Sequence, residues 1–286
     1  SRPIQMVYTD LPRNDFSQVF RNIHGETDVE TYIADIENLY VFASATSFHK
    51  PMFPPGILNL GFSATASHYI SEKPCTIENH VHMVGAEGAE RDAYVEQGRV
   101  DWESMLTNRA SDLAVGGKLA LFNFGIDEEG RYLGSTGSVS MFDTFSEIWA
   151  EFRDNGTITA EEYRNTNFPQ SYRTVEQFTA PFLSEDNPVY RAGLRMEHVE
   201  TRVVECPYEV DFRDHGDAAK FAREYIPTLR SWSETTFAAG LSEARTAEEC
   251  QDILDRYFDT YEARVRENPA GHAMDYVHCY LIVEKV

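Results

Sequence analysis

A short apolar run, Ile4 to Thr9, opens the chain and reads as a buried strand ending in Asp10. A proline-containing turn follows, and Asp15 to Asn22 can begin a short helix. "NLYVFASATSF", Asn38 to Phe48, is the next strand-like run and ends in small hydroxylated residues. Pro51, Pro54 and Pro55 in "PMFPPG" then break the chain, because proline is excluded from a helix interior. "ILNLGFSATASHYIS" reads as a strand leading into a turn or short helix. From about Glu87 to Leu113 the apolar positions Ala93, Tyr94, Trp102, Leu106 and Leu113 suit one helix, in which Gly98 permits a kink. "GGKLALFNFG" is the clearest strand of the chain. Strand and helix alternate up to Gly125, which predicts a parallel sheet of the doubly wound kind.

Beyond that point the pattern changes. Ser138 to Phe152, Ala160 to Asn165 and Thr174 to Phe182 carry helical patterns joined by polar turns such as "RDNGT", as a helical insertion or lid would. "LRMEHVETRVVEC" reads as a strand returning to the sheet, followed by amphipathic helices over Asp217 to Ala239 and Thr246 to Val265. "DYVHCYLIVEKV" closes the chain as a strand expected to pair with the core. The expected organisation is an α/β core over 1–125, a mainly helical cap with the returning strand over 126–240, and a helix and strand over 241–286 that complete the core.

Composition narrows the function. At 286 residues with 42% hydrophobic and 13% aromatic content, the chain has enough apolar surface for a large core. Its net charge of −22 would repel phosphate and speaks against nucleic-acid binding. Cys75, Cys206, Cys250 and Cys279 are widely spaced, as suits reduced thiols in a cytoplasmic protein. No apolar run approaches the roughly 20 residues of a membrane span, and the first residues do not read as a signal peptide.

Candidate chemistry is sparse. Asp10, at the carboxyl end of its strand, could accept the two hydroxyls of a ribose, or could equally serve as a turn or helix-capping residue. No Gly-x-Gly-x-x-Gly or P-loop sequence supplies a phosphate cradle, and a ligand without phosphates needs none. Thr65, His68 and Tyr69 fall in one segment after a strand and could converge on a crevice, although a lone histidine is more often structural. His80 and His82 form a His-x-His pair that could bind zinc if further ligands approached, and a surface loop or strand edge suits them better. "DFRDHGD" gathers Asp211, Asp214, His215 and Asp217 and reads as a charged turn capping the helix that starts at Asp217. No Gly-x-Ser-x-Gly elbow marks a hydrolase.

Taken in order along the chain, these segments resemble the SABATH family of S-adenosylmethionine-dependent methyltransferases. "YTDLPRNDFSQVF" is similar to the family's Asp-Leu-Pro-x-Asn-Asp-Phe segment. "SATSFHKPMFPPGILNLGFSATASHYISEKP" is similar to its Gly-Ser-Phe-Tyr-x-x-Leu-Phe-Pro block and the Ser-Ser-Tyr-Ser-x-x-Trp-Leu-Ser continuation. "DWESMLTNRASDLAVGGKLALFNFG" resembles the family's helix and Gly-Gly strand, while "NFPQSY" and "YFDTYEARV" correspond more loosely.

The resemblance implies a Rossmann-like methyltransferase core with a helical cap, and S-adenosyl-L-methionine as cofactor. Asp10 and Leu11 match residues that hold its adenosine part, Ser47 and Phe48 those framing the adenine, and Ser63 and Ala64 lie where cofactor meets substrate. Thr65, His68 and Tyr69 match substrate-pocket positions, with Met141, Phe142, Tyr172, Tyr225 and Thr228 falling near cap positions that wall it. Thr65 in place of the usual aromatic would enlarge the pocket. The implied reaction is methyl transfer to the carboxylate of a small acid, less often to a ring nitrogen. A carboxylate is ionised at neutral pH, so no general base is required. Rate comes from alignment in a dry site.

The family's Asp-Leu-Gly-Cys-Ser-x-Gly-Pro-Asn-like turn, which grips the methionine end, and its carboxylate-binding glutamine have no counterpart here. The resemblance therefore implies that half of the cofactor site comes from an N-terminal segment outside these residues, in the same polypeptide or on a separate chain. A remnant that binds small molecules or acts as a scaffold without catalysing is the alternative. Dimerisation is common in the family.

Overall fold

The computed structural model describes residues 2–286. The first half holds β1 (Ile4–Asp10), α1 (Phe16–Ile23), β2 (Leu39–Ala45), β3 (Leu58–Ala64), α2 (Gly88–Asp112) and β4 (Leu113–Ile126). The doubly wound sheet expected there is divided in two. β1 and β2 run parallel as a two-stranded sheet, from Ile4 opposite Leu39 to Asp10 opposite Ala45. β3 instead begins the main sheet and pairs in parallel with β4, with Ala64 opposite Phe122.

The second half holds α3 (Met141–Asp154), α4 (Ala160–Asn165), the two-residue β5 (Arg173–Thr174), α5 (Val175–Leu183), α6 (Pro188–Arg191) and β6 (Leu194–Val204). It ends with α7 (Pro207–His215), α8 (Ala218–Gly240), α9 (Ala247–Glu267) and β7 (Tyr276–Lys285). β7 lies antiparallel between β4 and β6, giving the order β3-β4-β7-β6, with β5 alongside the end of β4. The charged "DFRDHGD" stretch is mostly helix rather than turn. Its first residues belong to α7, Gly216 ends that helix in the left-handed region at φ 70°, and Asp217 alone caps α8 by accepting from Lys220 N at 2.9 Å.

Alternation along the strands fixes the two faces of the main sheet. Leu119 and Leu121 of β4, with Cys279, Leu281 and Val283 of β7, are buried together with Trp102 and Leu106 of α2 and Phe178 of α5. Trp102 is locked there by its Nε1–H, which donates to the Phe178 carbonyl at 3.1 Å. On the other face an aromatic row crosses three strands, Phe62 edge-on to Phe122 at 5.2 Å and Phe122 edge-on to Tyr280 at 4.5 Å. Among the described residues nothing covers the β3 end of that row: Leu60 and Phe62 are 65% and 66% exposed. The cap has its own core, in which Phe142, Phe145 and Trp149 of α3 meet Phe168, Phe237 of α8, and Tyr257 and Tyr261 of α9. Capping boxes at Thr159, Thr174 and Thr246 start α4, α5 and α9.

Candidate active site

In α/β sheets, ligands bind beyond the carboxyl ends of the parallel strands. The ends of β1 and β2 and the segment that follows β3 meet at one cleft of about 660 Å³, lined by Asp10, Leu11, Ser47, Phe48, Ala66, Tyr69 and Gln170 among others. Asp10 keeps an exposed carboxylate at the tip of β1, and its Oδ1 accepts from the Leu11 N–H at 2.6 Å. The Ser47–Lys50 loop is held by the end of α2. Arg109 donates to the carbonyls of Phe48 at 3.1 Å and Lys50 at 2.6 Å, and Asn108 donates to that of His49 at 2.8 Å. Arg109 is itself paired with buried Asp112 at 2.8 Å.

A smaller cavity of about 190 Å³ adjoins this cleft and shares Tyr69, Gln170 and Trp232 with it. Its wall includes Thr65, His68, Phe124, Leu133, Tyr172, Met274 and Tyr276. Thr65 makes the bend from β3 into this wall. It sits at φ 52°, a left-handed conformation strained for a β-branched residue, while its N–H still donates to Phe122 O at 2.7 Å. Ser67 donates to Asn123 Oδ1 at 2.6 Å, and the Asn123 amide is anchored in turn on the carbonyls of Leu121 and Cys279. The chain of 168–171 is laced against this segment: Ile70 N donates to Pro169 O at 3.0 Å and Ser171 N to His68 O at 2.8 Å.

Two buried polar atoms in this wall are orphans. The Tyr172 hydroxyl and His68 Nδ1 have no hydrogen-bond partner among the protein atoms. Such groups are costly unless something in the cavity satisfies them. Burial, reinforced by the Arg173 cation, pushes the His68 pKa down to about 3, so the ring is neutral and can donate one N–H. Arg173 is fully enclosed and spends its guanidinium on backbone carbonyls, with Nη1 on Ser67 O at 2.9 Å and Nε on Gly98 O at 3.0 Å.

The expected residues thus divide. Asp10, Leu11, Ser47 and Phe48 meet in the cleft, and Thr65, His68, Tyr69 and Tyr172 meet in the adjoining cavity. Ser63 and Ala64 end β3 outside the lining of both. Met141 and Phe142 stand one layer behind the wall, with Phe142 stacked on His82 at 3.9 Å. Tyr225 points into the cap core beside Phe221, and Thr228 donates to the Tyr208 hydroxyl at 2.9 Å; neither reaches the cavity. Trp232, one turn beyond Thr228 on α8, does. Gln170, Phe124, Leu133, Met274 and Tyr276 also line the site, and nothing in their spacing announces it.

His80 and His82 are not surface residues. Both are buried, with His80 Nε2 3.1 Å from Asp143 and His82 Nε2 3.2 Å from Gln170. Among the described residues no group of three or more His, Cys, Asp or Glu side chains is gathered as a metal site requires. No described helix is long and apolar enough to cross a membrane.

This fold, a mixed sheet with strand ends opening beneath a helical cap, is that of a methyltransferase. The solved structure of loganic acid methyltransferase with SAH superposes with a TM-score of 0.75 at 19% identity, covering 100% of this chain and 75% of that one. The family model described as SAM dependent carboxyl methyltransferase matches residues 2–286, and the chain belongs to that family. Indole-3-acetate O-methyltransferase 1 of Arabidopsis thaliana is 25% identical over 94% of this chain and 68% of its own length. Salicylate carboxymethyltransferase of Clarkia breweri is 25% identical over 68% of this chain and 52% of its own. Like the latter, several curated relatives are spanned over only about half their length, gibberellic acid methyltransferase 1 of Arabidopsis thaliana over 49%.

Proposed function

We propose that this chain forms the adenosine side of a cofactor site and the acceptor pocket of an S-adenosylmethionine-dependent methyltransferase that esterifies a small carboxylic acid. The observation that carries this is the meeting of two cavities at Tyr69, Gln170 and Trp232. One has an exposed acid at a strand tip; the other has buried donors with nothing to donate to. The donor set fits the cofactor's adenosine. Asp10 accepts from ribose hydroxyls, Leu11 and Phe48 offer apolar surface to a purine, and Ser47 offers a hydroxyl at its edge. The cleft, about 660 Å³, is within the range of small-molecule sites.

When bound, S-adenosylmethionine supplies an electrophilic methyl group on a sulfonium, which an ionised carboxylate takes without a general base. The residues of the chain orient and exclude. Neutral His68 and Tyr172 donate to the carboxylate, while Phe124, Leu133 and Met274 hold the acid's apolar part away from water. Arg173, buried behind His68, makes the local potential positive and favours an anion.

A polypeptide strand placed parallel between β1 and β3 would join the two sheets, and we propose such a strand, with the helix that follows it, as the holder of the methionine end. Among the described residues β1 and β3 each have an edge with no paired strand, β1 and the segment after β3 both reach the cleft, and the exposed Leu60 and Phe62 offer that helix an apolar bed. Calorimetry with S-adenosylhomocysteine, on this chain and on a form extended upstream, tests the whole reading. Binding that strengthens with the extension, together with transfer of labelled methyl to an acid, is the expected result. Absence of binding by the extended form overturns it, and binding without transfer to any acid makes the protein a non-catalytic binder.

A further inference from the structure

The buried His80–His82 pair takes no part in the reading above, and it leads directly to the junction of the two cavities. The backbone N–H of Val84 donates to His82 Nδ1 at 3.2 Å, so that nitrogen is the acceptor of the ring. Burial holds His82 neutral by driving its pKa well below the ordinary value. With Nδ1 accepting, the single ring proton lies on Nε2 and is donated to Gln170, 3.2 Å away. The facing amide atom must then be the oxygen, Oε1. The tautomer of His82 thus selects the orientation of the Gln170 amide and leaves the NH2 group free of His82, on a side chain that lines the junction.

We propose that Gln170 is the donor that grips the acceptor's carboxylate where the cleft meets the smaller cavity, and that His82 is the residue that positions it. This rests on the carboxyl methyltransferase reading. A primary amide presents two N–H groups, one of which can meet a carboxylate oxygen while Tyr172 or His68 meets the other. The rigidity required is visible. His82 is stacked on Phe142 at 3.9 Å and 16°, its own N–H donates to His80 Nδ1 at 3.0 Å, and His80 is tied to Asp143 at 3.1 Å. From the other side, Tyr69 forms a β-bridge with Gln170, and Phe168 N donates to Val81 O at 2.8 Å. The pair is a support for one side chain.

The test uses binding of benzoate, phenylacetate and hexanoate, each against its primary amide, by calorimetry in the presence of saturating S-adenosylhomocysteine. Gln170→Glu keeps the size of the side chain and still accepts from His82, but turns the donor into an acceptor. It is expected to weaken the best-bound acid by roughly 10-fold or more while sparing or improving its amide, since a hydrogen bond to a charged group is at stake. His82→Phe keeps the ring and its stacking but frees the amide. It is expected to raise the dissociation constant for the acid several-fold with the S-adenosylhomocysteine affinity unchanged, a separation that general unfolding would not give. If Gln170→Glu binds the acid as wild type does, the proposal is overturned and the functional reading stands. If wild type itself prefers none of the acids over their amides, the carboxylate-acceptor reading fails and takes this proposal with it.

Discussion

Arg173 donates through both Nε and Nη2 to the single carbonyl of Gly98, at 3.0 and 2.5 Å, across the contact between β5 and α2. The same glycine lets Ser171 approach, since a Cβ there would lie 2.3 Å from Ser171 Oγ. Gly98 suggested a kink from sequence, yet α2 runs unbroken from Gly88 to Asp112. Its absence of a side chain serves packing instead. In an open helix Gly→Ala stabilises by about 1 kcal/mol. Here Gly98→Ala is expected to destabilise by about 1–3 kcal/mol, because the wall 170–173 must move. Urea denaturation of the two proteins checks the sign.

Tyr172→Phe removes a buried hydroxyl that has no protein partner. Losing an unsatisfied group costs the fold little, so stability is expected to stay within about 1 kcal/mol of wild type. Affinity for the acid is expected to fall by roughly 10-fold, because a charge-assisted hydrogen bond is lost. Thermal unfolding and acid titration, measured on the same preparations, separate the two effects. A large loss of stability with unchanged acid affinity would make Tyr172 a packing residue only.

Asp10 lies on the surface at the tip of β1. Asp10→Ala is expected to shift stability by no more than about 0.5 kcal/mol, as surface substitutions usually do. Loss of a carboxylate acceptor for ribose hydroxyls should weaken S-adenosylhomocysteine by roughly 10-fold or more. Equal affinity in the variant would leave Asp10 as a turn residue.

Acid should unfold this protein in a defined window. His68 and His272 are buried neutral, with folded pKa values of about 3 and about 4 against an ordinary 6.5. The unfolded chain therefore binds the extra protons first, and stability falls as pH drops from about 6.5 through 3–4. Glu162 acts in the same direction lower down. Arg245 donates Nε and Nη2 to its carboxylate at 2.5 and 2.8 Å and, with the backbone N–H groups of Thr159 and Ser242, holds its pKa down to about 2. Its contribution is present above about 4.5 and is lost as pH falls toward 2. Denaturant midpoints across pH 7 to 3 should decline steadily; a flat profile would contradict these assignments.

Breaking the Glu162–Arg245 pair at neutral pH is a separate matter. Glu162→Gln leaves the Arg245 guanidinium partly enclosed without its counter-charge. A loss of about 3–5 kcal/mol is expected, as when one partner of a buried pair is removed. A double variant with Arg245→Met should recover part of it, which a denaturation cycle measures.

The strand-helix order and the cap helices were legible in the sequence because each has a strong local signal. Thr159, Thr174 and Thr246 announce helix starts, and "GGKLALFNFG" has the period of a half-buried strand. What could not be read was which strand joins which sheet: local patterns do not carry pairing, and β1 and β3 look equally strand-like although they lie in different sheets. The same limit applies to the site. Asp10 and His68 stood out through their place at and after strand ends, and Ser47 through the family resemblance. Gln170 and Trp232 reach the cavity only through the folding of 168–171 against 66–71 and the facing of α8, which no spacing records. Thr228 and Tyr225 fail to reach it for the same reason, standing about one and two helical turns before Trp232. His80 and His82 looked like a loop because histidine carries no burial signal of its own.

The bare end of the aromatic row on β3 has a colloidal consequence. Wherever no further strand pairs with β3, Leu60 and Phe62 lie beside an unpaired edge, and that combination is a template for pairing with another copy. What opposes such stacking in free solution is mutual repulsion between molecules each carrying a net charge of −22. Salt shortens the reach of that repulsion to about 3 Å at 1 M. The polypeptide's dispersal is thus set by ionic strength as much as by its fold, and concentrated brine should turn a clear preparation turbid.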